Sequence, residues 1–334
     1  MANLYGRTPT YIVCWLATIS REPTETILNG GKRDIMITIK NFKDEYLAEL
    51  QEMDFMMWLS VQWNSTFLRE NVFAAVDEHD KLLGVCALSC DGTWYYLEDD
   101  RSDIPLYRMQ LELCTKDEIS NEDTVKRELI HAAKQRMLEL KAKYPDKKLC
   151  MRCWCEEKEY DKQQQLLELG FSGHNLIWIM GFDLEHTEIP KVEIPENISV
   201  DILDCTEESL KAYLAANYLG YDNVQDAEGE LRFRLGDERT KIFTAQDCEK
   251  IVSSVTVWHI NDDRAATENV FTVPEYRRKK IGLTTVVESL SYLKEKGYKM
   301  ATLTCVGDNV NAIALYNRIG YKVIGHLLEM HWDV

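Results

Sequence analysis

Val273-Pro274-Glu275-Tyr276-Arg277-Arg278-Lys279-Lys280-Ile281-Gly282 is the stretch that decides the fold. It continues the strand-like run Asn269-Val270-Phe271-Thr272-Val273, which Pro274 terminates. It leads into an amphipathic segment with Leu283, Val286, Val287, Leu290 and Leu293 on one face and Gly297 at its end. A strand, a tight basic turn and a helix start together make an anion site. The first helical turn leaves backbone N–H groups unpaired at the positive end of the helix dipole. Four consecutive cations add charge, and Gly282 lets the backbone come close to a ligand. A solvated basic turn is the competing reading of such a run in a chain of net charge −17. The flanking strand and helix favour the anion site.

A chain of 334 residues has room for about two domains. Its 45% apolar and 28% charged content is that of an ordinary soluble globular protein. The strong negative charge argues against a nucleic-acid-binding surface. No run approaches the roughly 18–20 apolar residues that span a bilayer, so no membrane partner is expected. Ten cysteines lie scattered in apolar runs rather than in a compact framework, which fits a reducing compartment, and a cytoplasmic location is expected. The apolar run Tyr11–Ile19 has only Arg7 before it and no small-residue cleavage site after it, so it does not read as a signal peptide. Residues 1–34 lack strand or helix periodicity and read as an N-terminal appendage. Gly30-Gly31-Lys32-Arg33-Asp34 suggests translated upstream sequence.

The remainder repeats itself weakly. Phe73–Asp77 running into Lys81–Val85 parallels Phe243–Asp247 running into Lys250–Val255, and each reads as a β-hairpin with a polar turn. Leu166-Leu167-Glu168-Leu169-Gly170-Phe171 parallels Tyr316-Asn317-Arg318-Ile319-Gly320-Tyr321, each a helix end, a glycine cap and an aromatic opening the next strand. Two related domains are expected, at 35–184 and 198–334, joined by a linker at 185–197 with Pro190 and Pro195. In the first, a helix from Asp44 to about Trp63 precedes a hairpin (72–76, 82–89). A strand near 107–113, a helix 123–141, a strand 149–155, a helix near 158–169 and a strand 175–182 follow. In the second, a strand 198–202 precedes helical segments within 206–235, a hairpin (241–246, 251–260) and a strand 267–273. A helix 279–296, a strand 300–306, a helix 310–319 and a strand 322–332 close it. Strands and helices mixed on one sheet give an α/β (α+β) fold class.

The basic stretch resembles the acyl-CoA-binding loop of the GNAT superfamily of N-acetyltransferases, Arg/Gln-x-x-Gly-x-Gly/Ala. Arg277 and Gly282 match its ends, and Lys280 stands where the middle glycine is usual. One helix and one strand later, Asn309-Val310-Asn311-Ala312-Ile313-Ala314-Leu315-Tyr316 with Gly320-Tyr321 resembles that family's Asn-x-x-Ala-x-x-Leu-Tyr-x-x-x-Gly-Phe/Tyr. The resemblance covers nearly all of 198–334. It implies two tandem GNAT-like domains, each a mixed, mostly antiparallel twisted sheet flanked by helices, and acetyl-CoA as cosubstrate. It further implies attack of a primary amine on the thioester, with Tyr316 as general acid and Glu268 as general base. The cofactor would be held by Phe271, Thr272, Val273, Arg277, Arg278, Lys279, Lys280, Ile281, Gly282, Leu283, Thr284 and Asn309. Outside the motif, Tyr316 would read as a core aromatic, Glu268 as a solvent-facing strand residue and Asn309 as a helix cap.

The first domain has the outline without that chemistry. Its corresponding loop, Thr115–Asp123, has no glycine and four carboxylates against one lysine, and it aligns Leu166 with Tyr316 and Glu159 with Asn309. A degenerate GNAT-like domain follows. Cys150, Cys153 and Cys155 lack the fourth ligand of structural zinc nearby in sequence, so no metal is expected. The resemblance includes tandem members such as the mycothiol synthase type, which makes a thiol-biosynthesis acetyltransferase one alternative. A non-catalytic acyl-CoA sensor is the other. Asp222, Asp226, Glu228 and Glu230 lie where this family often contacts its acceptor, which would favour a cationic amine. A tandem pair can satisfy the pairing that single domains achieve by dimerising, so a monomer is expected, with a dimer as the alternative.

Overall fold

The computed structural model describes residues 36–334 except 100, 102, 120, 222, 225 and 226. The expected appendage at 1–34 lies outside the described residues. Contacts divide the described chain into two compact units, 36–174 with Glu329–Val334, and Asn175–Leu328.

In the first unit, β1 (Thr38–Asn41), β2 (Val72–Val76), β3 (Leu82–Cys90), β4 (Tyr107–Thr115) and β5 (Leu149–Glu156) lie in that order. The first three pairings are antiparallel and β4–β5 is parallel. A parallel pair needs a crossover, and α3 (Glu122–Lys143) supplies it. The helix expected from Asp44 to Trp63 is two helices, α1 (Leu47–Met53) and α2 (Phe55–Trp63). Asp54 interrupts them in extended conformation and accepts from the amides of Met56 and Met57, both at 2.9 Å. A short side-chain acceptor thus restarts the helix as an N-cap. The core packs Tyr46, Leu50, Met57 and Val61 against Val72, Ala74, Val85 and Ala87. A fourth helix, α4 (Tyr160–Glu168), leads into β6 (Ser172–Asp183).

The second unit holds β6 from Asn175 onward, β7 (Ile198–Ile202), α5 (Glu207–Gly220), α6 (Glu228–Arg234), β8 (Lys241–Asp247), β9 (Lys250–Asn261) and β10 (Arg264–Thr272). α7 (Ile281–Glu295), β11 (Met300–Val306), α8 (Val310–Ile319) and the first half of β12 (Lys322–Asp333) complete it. The strand order is β6-β11-β10-β9-β8-β7. β10–β11 is parallel, and the other pairings among these strands are antiparallel. The strand that the sequence reading assigned to the end of the first domain therefore pairs with β11, Thr302 opposite Gly181. The chain's end belongs to the other unit, where Val334 donates to the Leu149 carbonyl at 2.9 Å. Alternation of apolar residues tells a strand which face to bury and says little about which neighbour it pairs with. Ile189 and Val192, in the expected linker, pack on the second unit's core.

That core joins Val255, Val257, Ala265, Ala301 and Leu303 to Leu283, Val286, Val287, Leu290 and Leu293 of α7. The opposite face of β9 and β10 is covered by α5, whose Tyr213 packs its ring 5.8 Å from that of Phe271. Gly220, at the end of α5, lies so close to β10 that a Cβ there would meet Phe271 side-chain atoms at 2.5, 2.7 and 2.8 Å. Gly220→Ala should therefore force α5 off the sheet and lower stability by about 1–3 kcal/mol in urea unfolding. An unchanged unfolding midpoint would show that this approach is not made.

Candidate active site

Parallel pairing of β10 with β11 runs from Arg264–Met300 to Ala266–Thr302 and ends there. The parting coincides with a bulge. The β9–β10 register slips between Glu268 and Phe271, and Asn269 adopts φ 51°. Asparagine is among the few residues that enter the left-handed region readily, and a bulge turns a strand and leaves a residue unpaired. β11 continues on its other edge with β6 as far as Val306–Ile177. The result is a gap between β10 and β11 that opens from Thr302 onward.

Glu268 stands in that gap. Its carboxylate accepts from the Thr304 amide at 2.8 Å and the Thr304 hydroxyl at 3.0 and 3.1 Å. The amide that the parted strands would leave unpaired is thus satisfied by a side chain. Burial pushes the Glu268 carboxyl up to about 7, against the lowering effect of the two Thr304 bonds and the charge of Arg234. Glu268 as a residue is half-buried. A carboxylate with a pKa near neutrality is matched to accepting a proton at physiological pH.

Tyr316 lies on α8 and is 6% exposed, its ring edge-on to Tyr321 at 5.8 Å. Its hydroxyl makes no hydrogen bond to a described residue, whereas that of Tyr321 is 2.7 Å from the Thr267 Oγ1. Burial, with further contributions from Cys305 and Glu268, holds the Tyr316 phenol protonated well above its ordinary range. Tyr316 is thus a core aromatic whose phenol stays neutral at physiological pH. Asn309 caps α8 by accepting from the Ala312 amide at 3.1 Å.

The basic loop follows β10. Arg278 and Lys280 both take left-handed backbone, φ 67° and 64°. Lys280 thus adopts the conformation that a glycine supplies at no cost. α7 begins at Ile281 with no side-chain cap, and the Thr284 amide is the first to reach back, to Lys280 at 3.0 Å. The amides of Lys280, Ile281, Gly282 and Leu283 therefore have no partner within the helix. A Cβ on Gly282 would meet the Thr272 hydroxyl at 2.8 Å, so glycine keeps this amide row close to the strand end.

The twelve expected cofactor residues divide by role. Arg278 and Lys280 are exposed and make no ion pair with a described residue, while Lys279 lies 4.8 Å from the Tyr276 ring centre. Arg277 is spent on protein carbonyls, donating to Thr272 at 3.0 Å and Gly220 at 2.9 Å, so it clamps β10 to the end of α5. Ile281, Leu283 and Thr284 are buried and can offer only backbone. Phe271 and Val273 are buried too, Phe271 against α5 and Val273 with its amide on Val252 at 2.9 Å. The Thr272 hydroxyl lies 3.0 Å from that of Ser253.

Glu228 and Glu230, expected to favour a cationic acceptor, are paired with Arg232 at 2.8 Å and Arg234 at 2.7 Å. Asp222 and Asp226 lie outside the described residues. In the first unit, α3 opens with Glu122 and Asp123 in its first turn, which would repel an anion. Leu166 is buried, and the Glu159 carboxylate accepts from the Glu156 amide at 2.7 Å. Cys150, His331 and Asp333 offer ligand atoms within 4.8 Å of one another, a convergence the sequence reading did not anticipate. Among the described residues, no helix is long and apolar enough to cross a membrane.

Residues 206–321 match the family model described as the acetyltransferase (GNAT) family. No curated protein matches the chain. Among solved structures, a GCN5-related N-acetyltransferase from Sphaerobacter thermophilus is similar at TM-score 0.59 and 13% identity, with 89% of this chain and 95% of that one covered. A tandem GNAT protein from the clavulanic acid biosynthesis pathway is similar at 0.61 and 12%, covering 90% and 98%. A GCN5-related N-acetyltransferase from Anabaena variabilis gives 0.58 and 11%, covering 89% and 72%.

Lys280→Gly should relieve left-handed strain and raise stability by up to about 1 kcal/mol, the gain being reduced by the freer unfolded chain. The same variant should weaken coenzyme A binding about fivefold by removing one cation. Calorimetric titration and urea unfolding check both arms, and a loss of stability would show that residue 280 is not left-handed.

Proposed function

The chain carries a GNAT-family acetyltransferase domain over residues 206–321, and on that premise we propose that it transfers an acetyl group from acetyl-CoA to a primary amine of a small molecule. The observation that carries this reading is the Glu268 carboxylate, held near neutrality in the gap between β10 and β11 with the protonated Tyr316 phenol close by.

In this reading the uncapped start of α7, with Arg278 and Lys280, grips the pyrophosphate of coenzyme A. The pantetheine arm runs along the parted edge of β10, as an added strand would. Glu268 takes a proton from the ammonium form of the acceptor. The freed nitrogen lone pair attacks the thioester carbonyl carbon, a C–N bond forms, and the C–S bond breaks. Tyr316 gives its proton to the departing thiolate, the acylated nitrogen releases its second proton to solvent, the tyrosinate is reprotonated from solvent, and Glu268 returns its proton to solvent. The products are an N-acetyl amide and free coenzyme A. The first unit, lacking the basic loop and the tyrosine, serves as a structural partner, and the protein works as a monomer in the cytoplasm.

Removing a general acid typically costs about 10²–10⁴-fold, so Tyr316→Phe should lower kcat by that range. A kcat within twofold of wild type would confine Tyr316 to packing. The base works only when deprotonated, so kcat/KM should rise with pH through about 7 and level off above it. Glu268→Gln should abolish that limb. Persistence of the limb in the variant would assign it to another group.

A further inference from the structure

The sheet face that carries Glu268 holds a row of buried polar groups with nothing to bond. Strand alternation puts Ser254, Thr256 and Trp258 of β9 on one face, opposite Phe271, Glu268 and Ala266 of β10. Arg264 joins them, four residues before Glu268 on the same strand. Ser254 and Thr256 have no exposed surface and Trp258 is 6% exposed. The Ser254 and Thr256 hydroxyls, the Trp258 indole N–H and the Arg264 Nε are all buried without a hydrogen-bond partner among the described residues. Leaving a buried donor unpaired is costly, and four along one face are more than a folded sheet keeps without return. The opposite face of the same strands has no such row, since Val255, Val257 and Ala265 pack against α7.

The charges on this face define what would complete it. Arg234 of α6 stacks over Trp258 at 4.2 Å from the ring and is paired with Glu230. Arg264 has no ion pair with a described residue, and burial alone lowers the pKa of its guanidinium. Against these stand Glu230, already paired, and Glu268, held by Thr304. Trp258 and Arg264 can only donate, and the two hydroxyls can donate as well. Their complement is a group rich in acceptor oxygens and negatively charged.

The geometry points to an acceptor amine that carries an anionic group, a carboxylate or a phosphate, bound with its amine at Glu268 and its anion toward Trp258 and Arg264. This rests on the acetyltransferase reading and deepens it by naming the acceptor's class. The strand also gives a length. Trp258 lies across from Ala266, two residues from Glu268, and Arg264 lies four residues away, so amine and anion sit about 7–13 Å apart at a rise of about 3.3 Å per residue. That span calls for a chain of several atoms between the two and excludes the shortest amino acids. It also reverses the expectation of a cationic acceptor, because the glutamates behind that expectation are neutralised by Arg232 and Arg234.

Calorimetry on the full chain with coenzyme A bound compares 6-aminohexanoate, its phosphate counterpart 6-aminohexyl phosphate, the neutral 6-aminohexanamide and 1,6-diaminohexane. Acetyl transfer to each is followed separately by thiol release. The carboxylate or the phosphate should bind roughly tenfold tighter than the amide and the diamine, and their ratio says which anion the face prefers. Arg264→Gln should remove that preference while leaving binding of the neutral amide within about twofold, and Trp258→Phe, which keeps the ring and loses the N–H, should weaken it in part. Equal or tighter binding of the diamine, no binding of any probe, or a preference unchanged in Arg264→Gln would overturn the assignment. Transfer to the diamine alone would overturn it with the acetyltransferase reading intact. Failure of coenzyme A itself to bind would overturn both.

Discussion

The parting of β10 from β11 is the constraint from which the rest of the site follows. Two parallel strands that pair for three residues and then diverge leave backbone groups exposed inside a fold, and those groups must find partners. One is found within the protein, where the Thr304 amide takes the Glu268 carboxylate. That bond fixes the side chain in the gap, and the burial that comes with it sets its proton affinity near neutrality. The bulge at Asn269 is the mechanical cause, since it shifts the β9 register by one residue and bends β10 away. Structure and chemistry are thus one arrangement, because a straight strand would have closed the slot and paired the amide, leaving the carboxylate in solvent.

The start of α7 departs from what local stability favours. Two basic residues, Arg278 and Lys280, occupy left-handed backbone that costs an ordinary residue about 1–2 kcal/mol. No side chain caps the helix, although a serine or aspartate would stabilise it. Both departures lower stability locally, and both leave positive charge and unpaired amides at the helix start. In a chain of net charge −17 these cations stand out as a local patch of opposite sign.

The two faces of the central sheet divide the labour. On the α7 side, valines and alanines of β9 and β10 meet leucines and valines in an apolar core, and the buried polar Ser253, His259 and Thr267 of that face are hydrogen-bonded. On the α5 and α6 side the same strands present hydroxyls, an indole N–H and arginines. Alternation at period two lets one strand pack a helix with its odd residues and present a different, polar set with its even ones.

The sequence by itself determined the elements and the place of the basic loop. Hydrophobic period, proline and glycine punctuation and the run Arg277–Lys280 are local signals, and β7 to β9, β11 and β12 with α7 and α8 stand within one or two residues of where those signals put them, while β10 starts three residues earlier. Glycine at 282 was legible as a close approach, and Asn309 as a cap. The tertiary structure alone decided which strand β6 would join, where the chain's end would go, that Arg277 would clamp carbonyls rather than face a ligand, and that Glu268 would meet Thr304. It also decided that Glu228 and Glu230 would be neutralised and that Ser254, Thr256, Trp258 and Arg264 would be buried unpaired. The reason is the range of the interactions. Periodicity and capping act over a few residues and leave a mark in the sequence, whereas strand pairing, burial and the proton affinities they set depend on groups brought together from tens of residues away.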